Sequence, residues 1–192
     1  MALATSQVSV PEQRPSPDKG RHLVAKRSMT SESDSMLTWQ CSPFDELSNK
    51  VLYAILKARQ QVFIVEQNCP FLDADDVDQH CLHLLAWKIE GANHSLAAYA
   101  RLVPAGIKYA EPSIGRVITA AEFRGQGLGK ELMRRSVQAM DQRYPGLTIR
   151  IGAQQYLEEF YSGFGFVTAS PTYIEDGIPH VEMVRKSSIR AS

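Results

Sequence analysis

Arg124-Gly125-Gln126-Gly127-Leu128-Gly129 constrains this chain more than any other stretch. Three glycines at alternate positions strip side chains from a loop, so its backbone N–H groups can converge on an anion. Directly behind it Leu128, Leu132, Ser136, Val137 and Met140 recur at the helical period, Arg134 and Arg135 face elsewhere, and Tyr144-Pro145-Gly146 stops the run. Bared amides, the positive end of a helix and the Arg124 guanidinium together describe a phosphate cradle. The spacing rejects two common alternatives. A P-loop needs glycine where Arg124 stands and Ser or Thr where Glu131 follows Lys130. A dinucleotide fingerprint begun at Gly125 needs its last glycine where Lys130 stands.

Around this loop the order of segments is regular. Leu37 to Cys41 predicts an opening strand, and Leu47 to Val65 an amphipathic helical region, interrupted or not, with Asp45 or Ser48 as N-cap. Arg59 falls on its apolar stripe, so a carboxylate must meet it, either Glu66 or one of Asp73, Asp75, Asp76 and Asp78. Leu82 to Ile89 and Leu96 to Val103 read as a hairpin through Glu90-Gly91-Ala92-Asn93. A strand Ile114 to Thr119 precedes the glycine loop, and a strand Thr148 to Ile151 follows its helix. Next come a short helix, Gln155 to Phe164, and a second hairpin of Phe166 to Tyr173 and Ile178 to Arg185 around Glu175-Asp176-Gly177.

Arg124-x-x-Gly127-x-Gly129 fits the pattern Arg/Gln-x-x-Gly-x-Gly/Ala, and Phe160-Tyr161-Ser162-Gly163-Phe164-Gly165-Phe166 carries a Tyr-x-x-x-Gly-Phe ending. Together, and in this order, these motifs resemble the GNAT-type N-acetyltransferases. Val65-Glu66-Gln67-Asn68-Cys69-Pro70, Ala98-Tyr99-Ala100-Arg101 and Glu175-Asp176-Gly177-Ile178-Pro179-His180 resemble the ElaA-type branch, and the likeness runs from about Leu37 to Arg185. It implies an α/β (α+β) fold of the GNAT acyl-CoA N-acyltransferase kind: a mixed central sheet, helices on both faces, and a splayed parallel strand pair.

The resemblance also implies a chemistry, direct attack of an amine on the thioester of acetyl-CoA. Main-chain groups of Val117, Ile118 and Thr119 would pair with the pantetheine arm, the Val117 amide holding the thioester carbonyl. Amides of Arg124, Gly125, Gln126, Gly127, Leu128, Gly129 and Lys130 would take the pyrophosphate, and Gln154 would touch the pantetheine. Tyr161 is the candidate general acid or hydrogen-bond donor to the leaving thiolate, against the plainer reading of a core aromatic. Glu66 and His180 are the candidate bases; Glu66 could equally be bridged to Arg59. His83 reads as a core histidine before a water-linked base, and the aspartates as a solvated loop before an amine-attracting one. Acyl-homoserine-lactone synthases share the fold and are faintly echoed by Arg59, Phe63, the aspartates and Arg101. A non-catalytic acyl-CoA-binding regulatory module is the third reading.

Composition narrows the partners. With 192 residues, 44% of them hydrophobic, the chain predicts one domain over 36–186. Lys+Arg of 21 balance Asp+Glu of 21, so neither nucleic acid nor a membrane surface is an expected partner. The expected partner is a small-molecule or protein amine, the expected assembly a monomer or homodimer. Cys41, Cys69 and Cys81 lack pairing or zinc-like spacing, which suits a reducing, cytoplasmic setting without metal. Residues 1–35, with Pro11, Pro15 and Pro17 and no hydrophobic period, predict a disordered extension. It reads as an upstream extension with Met29 or Met36 as working initiator, ahead of a regulatory tail or a transit peptide; 187–192 reads as a tail.

Overall fold

Among the described residues eight short strands and three α-helices follow one another. The computed structural model describes residues 36–187, so the expectations for 1–35 and for the tail beyond 187 fall outside the described residues. In chain order they are β1 (Met36–Pro43), α1 (Asn49–Arg59), β2 (Leu82–Glu90), β3 (Asn93–Val103), β4 (Ser113–Thr119), α2 (Leu128–Arg143), β5 (Ile149–Gln154), α3 (Glu158–Ser162), β6 (Val167–Thr168), β7 (Tyr173–Glu175) and β8 (Ile178–Arg185). The strands form one mixed sheet in the order β1-β2-β3-β4-β5-β8-β6, with β7 also on β8. Among the described residues only β4 and β5 pair in parallel. Among the described residues no helix is long and apolar enough to cross a membrane.

Helices cover both faces. On one, α2 lays Leu132, Met133, Val137 and Met140 over Leu84, Ala86, Ala98, Ala100, Ile149 and Ile151. On the other, Ile55 and Val62 meet Leu85, Tyr99 and Ile118. Ser48 caps α1 by accepting from the Val51 N–H at 3.3 Å, which removes one orphan donor of its first turn. After Arg59 the helix widens into a π-helical segment, Gln60–Glu66, ending with the Gln67 N–H on Val62 O at 3.1 Å. The wider turn is the interruption the sequence left open. It sets Val62, Phe63, Glu66 and Gln67 along one wall of the central cleft.

The structure departs from the sequence expectation in two strands. The expected strand Phe166 to Tyr173 is broken into β6 and β7, because Pro171 has no N–H to give a ladder. Beside it the Ser170 hydroxyl, accepting the Glu182 N–H at 2.8 Å, replaces a main-chain acceptor. Strand β4 is not a plain strand either. Tyr99 pairs with Ile118 but Arg101 with Gly115, so β4 carries one extra residue opposite Ala100, a β-bulge at Arg116-Val117. Arg116 takes φ 49° there, left-handed backbone that a non-glycine residue adopts only when held. The bulge inverts the phase of the strand: Ile114 packs on the α2 face and Ile118, four residues on, on the α1 face.

Candidate active site

β4 and β5 share one register pair, Ser113 with Arg150, and then part. The gap opens into a cleft of about 620 Å³ lined by Gly115 to Thr119 on one side and Gly152, Gln154 and Tyr161 on the other. The Ala120 N–H donates to Ala97 O at 2.9 Å, so alternation turns Ile118 toward β3 and leaves Thr119 and Val117 facing the gap. Of the three strand residues expected to offer main-chain groups, Ile118 is therefore spent on the sheet. The Thr119 carbonyl is taken as well, by Arg124 Nε at 2.9 Å. Val117 remains at the edge of the cleft.

The glycine loop closes the same end. Gly125 and Gly127 hold φ 75° and 79°, and Gly127 is the N-cap of α2. The Arg124 N–H donates to Ala121 O at 3.3 Å and the Lys130 N–H to Gly127 O at 3.0 Å. Those two of the seven expected amides are occupied. Amides from Gly125 to Gly129 meet no main-chain carbonyl among the described residues, and they crown the positive end of a 16-residue helix. The Gln126 side chain turns back to Glu122 O at 3.2 Å, so only its backbone is offered.

Tyr161 is 8% exposed and reaches the cleft from α3. Burial, with Tyr156 nearby, pushes its hydroxyl up to about 12, so it stays protonated at any physiological pH. Its ring is fixed edge-on by Phe160 at 5.2 Å and Phe166 at 6.3 Å. His180, on β8, lies on the cleft wall with Nδ1 2.8 Å from Ile178 O. A carbonyl only accepts, so Nδ1 carries the proton and the neutral ring keeps Nε2 as an acceptor. Gln154 is also on the wall, but its amide is engaged at both ends: Nε2 donates to Gln67 at 3.2 Å, and Oε1 accepts from Tyr156 at 2.6 Å.

Glu66 takes a partner the sequence did not foresee. Its carboxylate meets Arg124 at 2.6 Å rather than Arg59, tying the first helical region to the glycine loop across the cleft mouth. Arg59, fully buried, is met instead by Asp73 at 2.7 Å and Asp78 at 2.6 Å. Asp73, Asp75 and Asp78 are thus not part of a solvated loop, while Asp76 is exposed as expected. Asp75 holds Arg101 through two bonds of 2.6 and 2.7 Å, and Asp78 bridges Arg59 to Arg101. Arg116 from the bulge closes the set on Asp73 at 2.7 Å, its guanidinium over the Phe63 ring at 5.8 Å. Burial opposes the Asp75 carboxylate, yet the hydrogen bonds and charge of Arg101, with Arg116, hold it at about 2. His83 is buried and bonded to Tyr99 Oη at 2.9 Å and Asp78 O at 3.0 Å, the core role expected of it. The arginine need was legible at Arg59; that three guanidiniums share three aspartates was not, because Arg101 and Arg116 sit on strands with no charge pattern of their own.

Comparison with known proteins agrees with this geometry. Residues 74–187 match the model of the family described as "Acetyltransferase (GNAT) domain". The chain is 40% identical to the Escherichia coli protein ElaA over 153 residues, 79% of this chain and 97% of ElaA. The crystal structure of E. coli ElaA superposes with a TM-score of 0.72, covering 78% of this chain and 99% of that one. An acyl-CoA N-acyltransferase from Pseudomonas aeruginosa gives 0.73 at 38% identity, covering 78% of this chain and 99% of its own. The acyl-homoserine-lactone synthase LasI, at 16% identity and a TM-score of 0.63, shares the fold alone, with 80% of this chain and 91% of LasI covered.

Proposed function

We propose, on the premise that the chain belongs to the GNAT acetyltransferase family, that it transfers the acetyl group of acetyl-CoA to a primary amine. One observation carries the reading. Uncovered amides from Gly125 to Gly129 follow directly on Arg124, which lines the cleft together with Val117 on the part of β4 that does not pair with β5, an anion cradle next to an acyl seat. A CoA thioester fits that donor set, because its diphosphate suits bared N–H groups and its amide-bearing arm suits an unpaired strand edge. Bound there, acetyl-CoA supplies an activated acyl carbon.

The chain's own residues then handle charge and protons. The Val117 N–H stabilises negative charge developing on the carbonyl oxygen. An alkylammonium of pKa about 10 is no nucleophile, so His180 Nε2 takes one proton before the nitrogen bonds to the acyl carbon. The second proton leaves the nitrogen as the carbon–sulfur bond breaks. One proton ends on sulfur and the other in water, so the sum balances. Tyr161, at about 12, is mismatched as a proton source: full transfer to a thiolate of ordinary pKa, about 8.5, runs uphill by about 5 kcal/mol. Its part is a hydrogen bond to the departing sulfur. Glu66 holds Arg124 over the cradle rather than acting as base. Calorimetry with acetyl-CoA and CoA, followed by thiol release with a panel of primary amines, tests the reading; a folded protein with no affinity for either thioester or thiol sinks it.

A further inference from the structure

The closed end of the β4–β5 gap gathers side chains that the steps above leave unused. A Cβ placed on Gly152 would stand 3.1 Å from Tyr109 Oη, 3.1 Å from Tyr173 Oη and 3.9 Å from Glu175 Oε2. Two segments distant in sequence, the β3–β4 loop and β7, aim their polar tips at one bare backbone position on β5. Tyr173 Oη donates to Glu175 Oε2 at 3.4 Å, and its ring stacks on His180 at a centroid distance of 5.9 Å. Gly152, Glu175 and His180 all line the cleft.

We propose that the Tyr109 and Tyr173 hydroxyls and the Glu175 carboxylate, gathered over Gly152, seat the ammonium head of the acceptor, and that the acceptor is a monoamine with an apolar body. This rests on the acetyl-transfer reading. The cradle follows the Thr119 end of β4, so an arm running back along the strand to Val117 aims its acyl carbon at Gly115 and Gly152. An amine over Gly152 lies ahead of that carbon and beside the His180 ring.

Charge selects the class. Four acids line the cleft, and two are neutralised: Glu66 by Arg124, and Asp73 by Arg59 and Arg116. Glu175 has only Lys108 at 4.0 Å, and Asp176 has no ion pair among the described residues. The cleft thus carries enough free negative charge for one ammonium, too little for a polyamine, and of the sign that repels an amino acid's carboxylate. Burial, then Tyr173 and the charges of Glu182 and Glu175, hold the Tyr109 hydroxyl above its ordinary pKa against Arg150; of these the two carboxylates favour a cation, whereas burial does not. Phe71 and Leu72, also on the cleft wall, are 52% and 86% exposed, an apolar surface for the amine's carbon skeleton.

The test uses the full chain with saturating CoA, phenethylamine as probe and spermidine and glycine as comparators. Calorimetry should give phenethylamine the tightest binding. Glu175→Gln should weaken it by about tenfold or more and Tyr173→Phe by a few-fold, as expected when a charged or neutral hydrogen bond is lost. CoA affinity, measured separately on each variant, should stay within about twofold of the parent and shows that the cleft is folded. Spermidine or glycine binding more tightly overturns the class; unchanged phenethylamine affinity in both variants overturns the seat. Failure of the parent to bind phenethylamine while CoA binds overturns both. Amine binding that follows these rules without thiol release from acetyl-CoA would leave the seat standing and remove the acetyl-transfer reading instead.

Discussion

Asp78→Ala should unfold this protein far more easily than Glu131→Ala, although each carboxylate holds two arginines. Asp78 meets Arg59 at 2.6 Å and Arg101 at 3.0 Å; Glu131 meets Arg134 and Arg135, both at 2.7 Å. Hydrogen bonds from Arg134, with Arg135, hold the Glu131 carboxyl down at about 2, which by itself would suggest a strong contribution. Burial decides otherwise. The guanidiniums facing Asp78 are 0% and 2% exposed, whereas those facing Glu131 are 56% and 39% exposed and screened by water. Removing Asp78 leaves two buried cations short of a partner, in a network where Arg101 Nε already lacks one. Breaking such a pair costs about 3–5 kcal/mol, while an exposed pair is worth about 0–1 kcal/mol. For a domain of this size the first corresponds to a fall in Tm of roughly 10 °C and the second to about 3 °C or less. Asp78→Asn, which keeps an oxygen acceptor but no charge, should fall between. Urea titration followed by circular dichroism, with m-values compared, measures all three. A loss below about 1 kcal/mol for Asp78→Ala at unchanged m would refute the claim that burial sets the worth of these ion pairs.

Further outcomes follow from the same geometry. Tyr161→Phe, which removes one hydrogen bond to the charge developing on the departing sulfur, should lower kcat on the order of 10²-fold while calorimetric affinity for acetyl-CoA is kept; an unaltered kcat would return Tyr161 to the aromatic core. Gly127→Ala should cost about 1–2 kcal/mol in urea titration, since an L side chain is strained at φ 79° although nothing lies within 4 Å of its Cβ. The same variant should bind CoA about tenfold or more weakly, because a methyl group would stand among the bared amides; intact affinity would move the diphosphate elsewhere. Asp75 has its folded pKa, about 2, below its unfolded value, so its stabilisation is present above about pH 4 and is lost as pH falls toward 2. Screened by its partial exposure, the effect is on the order of 1–2 kcal/mol, and Asp75→Asn should flatten stability against pH across that window.

Sequence patterning reached some of these features and not others, for physical reasons. The glycine loop and α2 were legible because bared amides and a helical stripe are both local signals, at Gly125 to Gly129 and at Leu128 to Met140. Arg59 announced a buried charge by sitting on an apolar stripe, but the choice between Glu66 and the aspartates is made by the path of 67–80, which no local rule fixes. The bulge at Arg116 left no trace because Ile114, Val117 and Ile118 are apolar and suit either face of a sheet covered on both sides. Tyr109, in a loop of unremarkable composition, comes to Gly152 only once β5 and β7 are in place. His180 illustrates the middle case: its segment was legible, while the tautomer that frees Nε2 needed the Ile178 carbonyl to be seen.

The lone Ser113–Arg150 register pair leaves the sheet as two half-sheets stitched at one corner, β1 to β4 on one side and β5 to β8 on the other. Whatever lies along the open seam becomes a structural member, completing a lattice that the polypeptide leaves one strand short. Occupancy at a hundredfold excess over Kd would add about 2.7 kcal/mol to the folded state. Empty and loaded molecules would then differ in how far unfolding of one half drags the other with it, so that the donor's concentration tunes the durability of the enzyme as well as its rate.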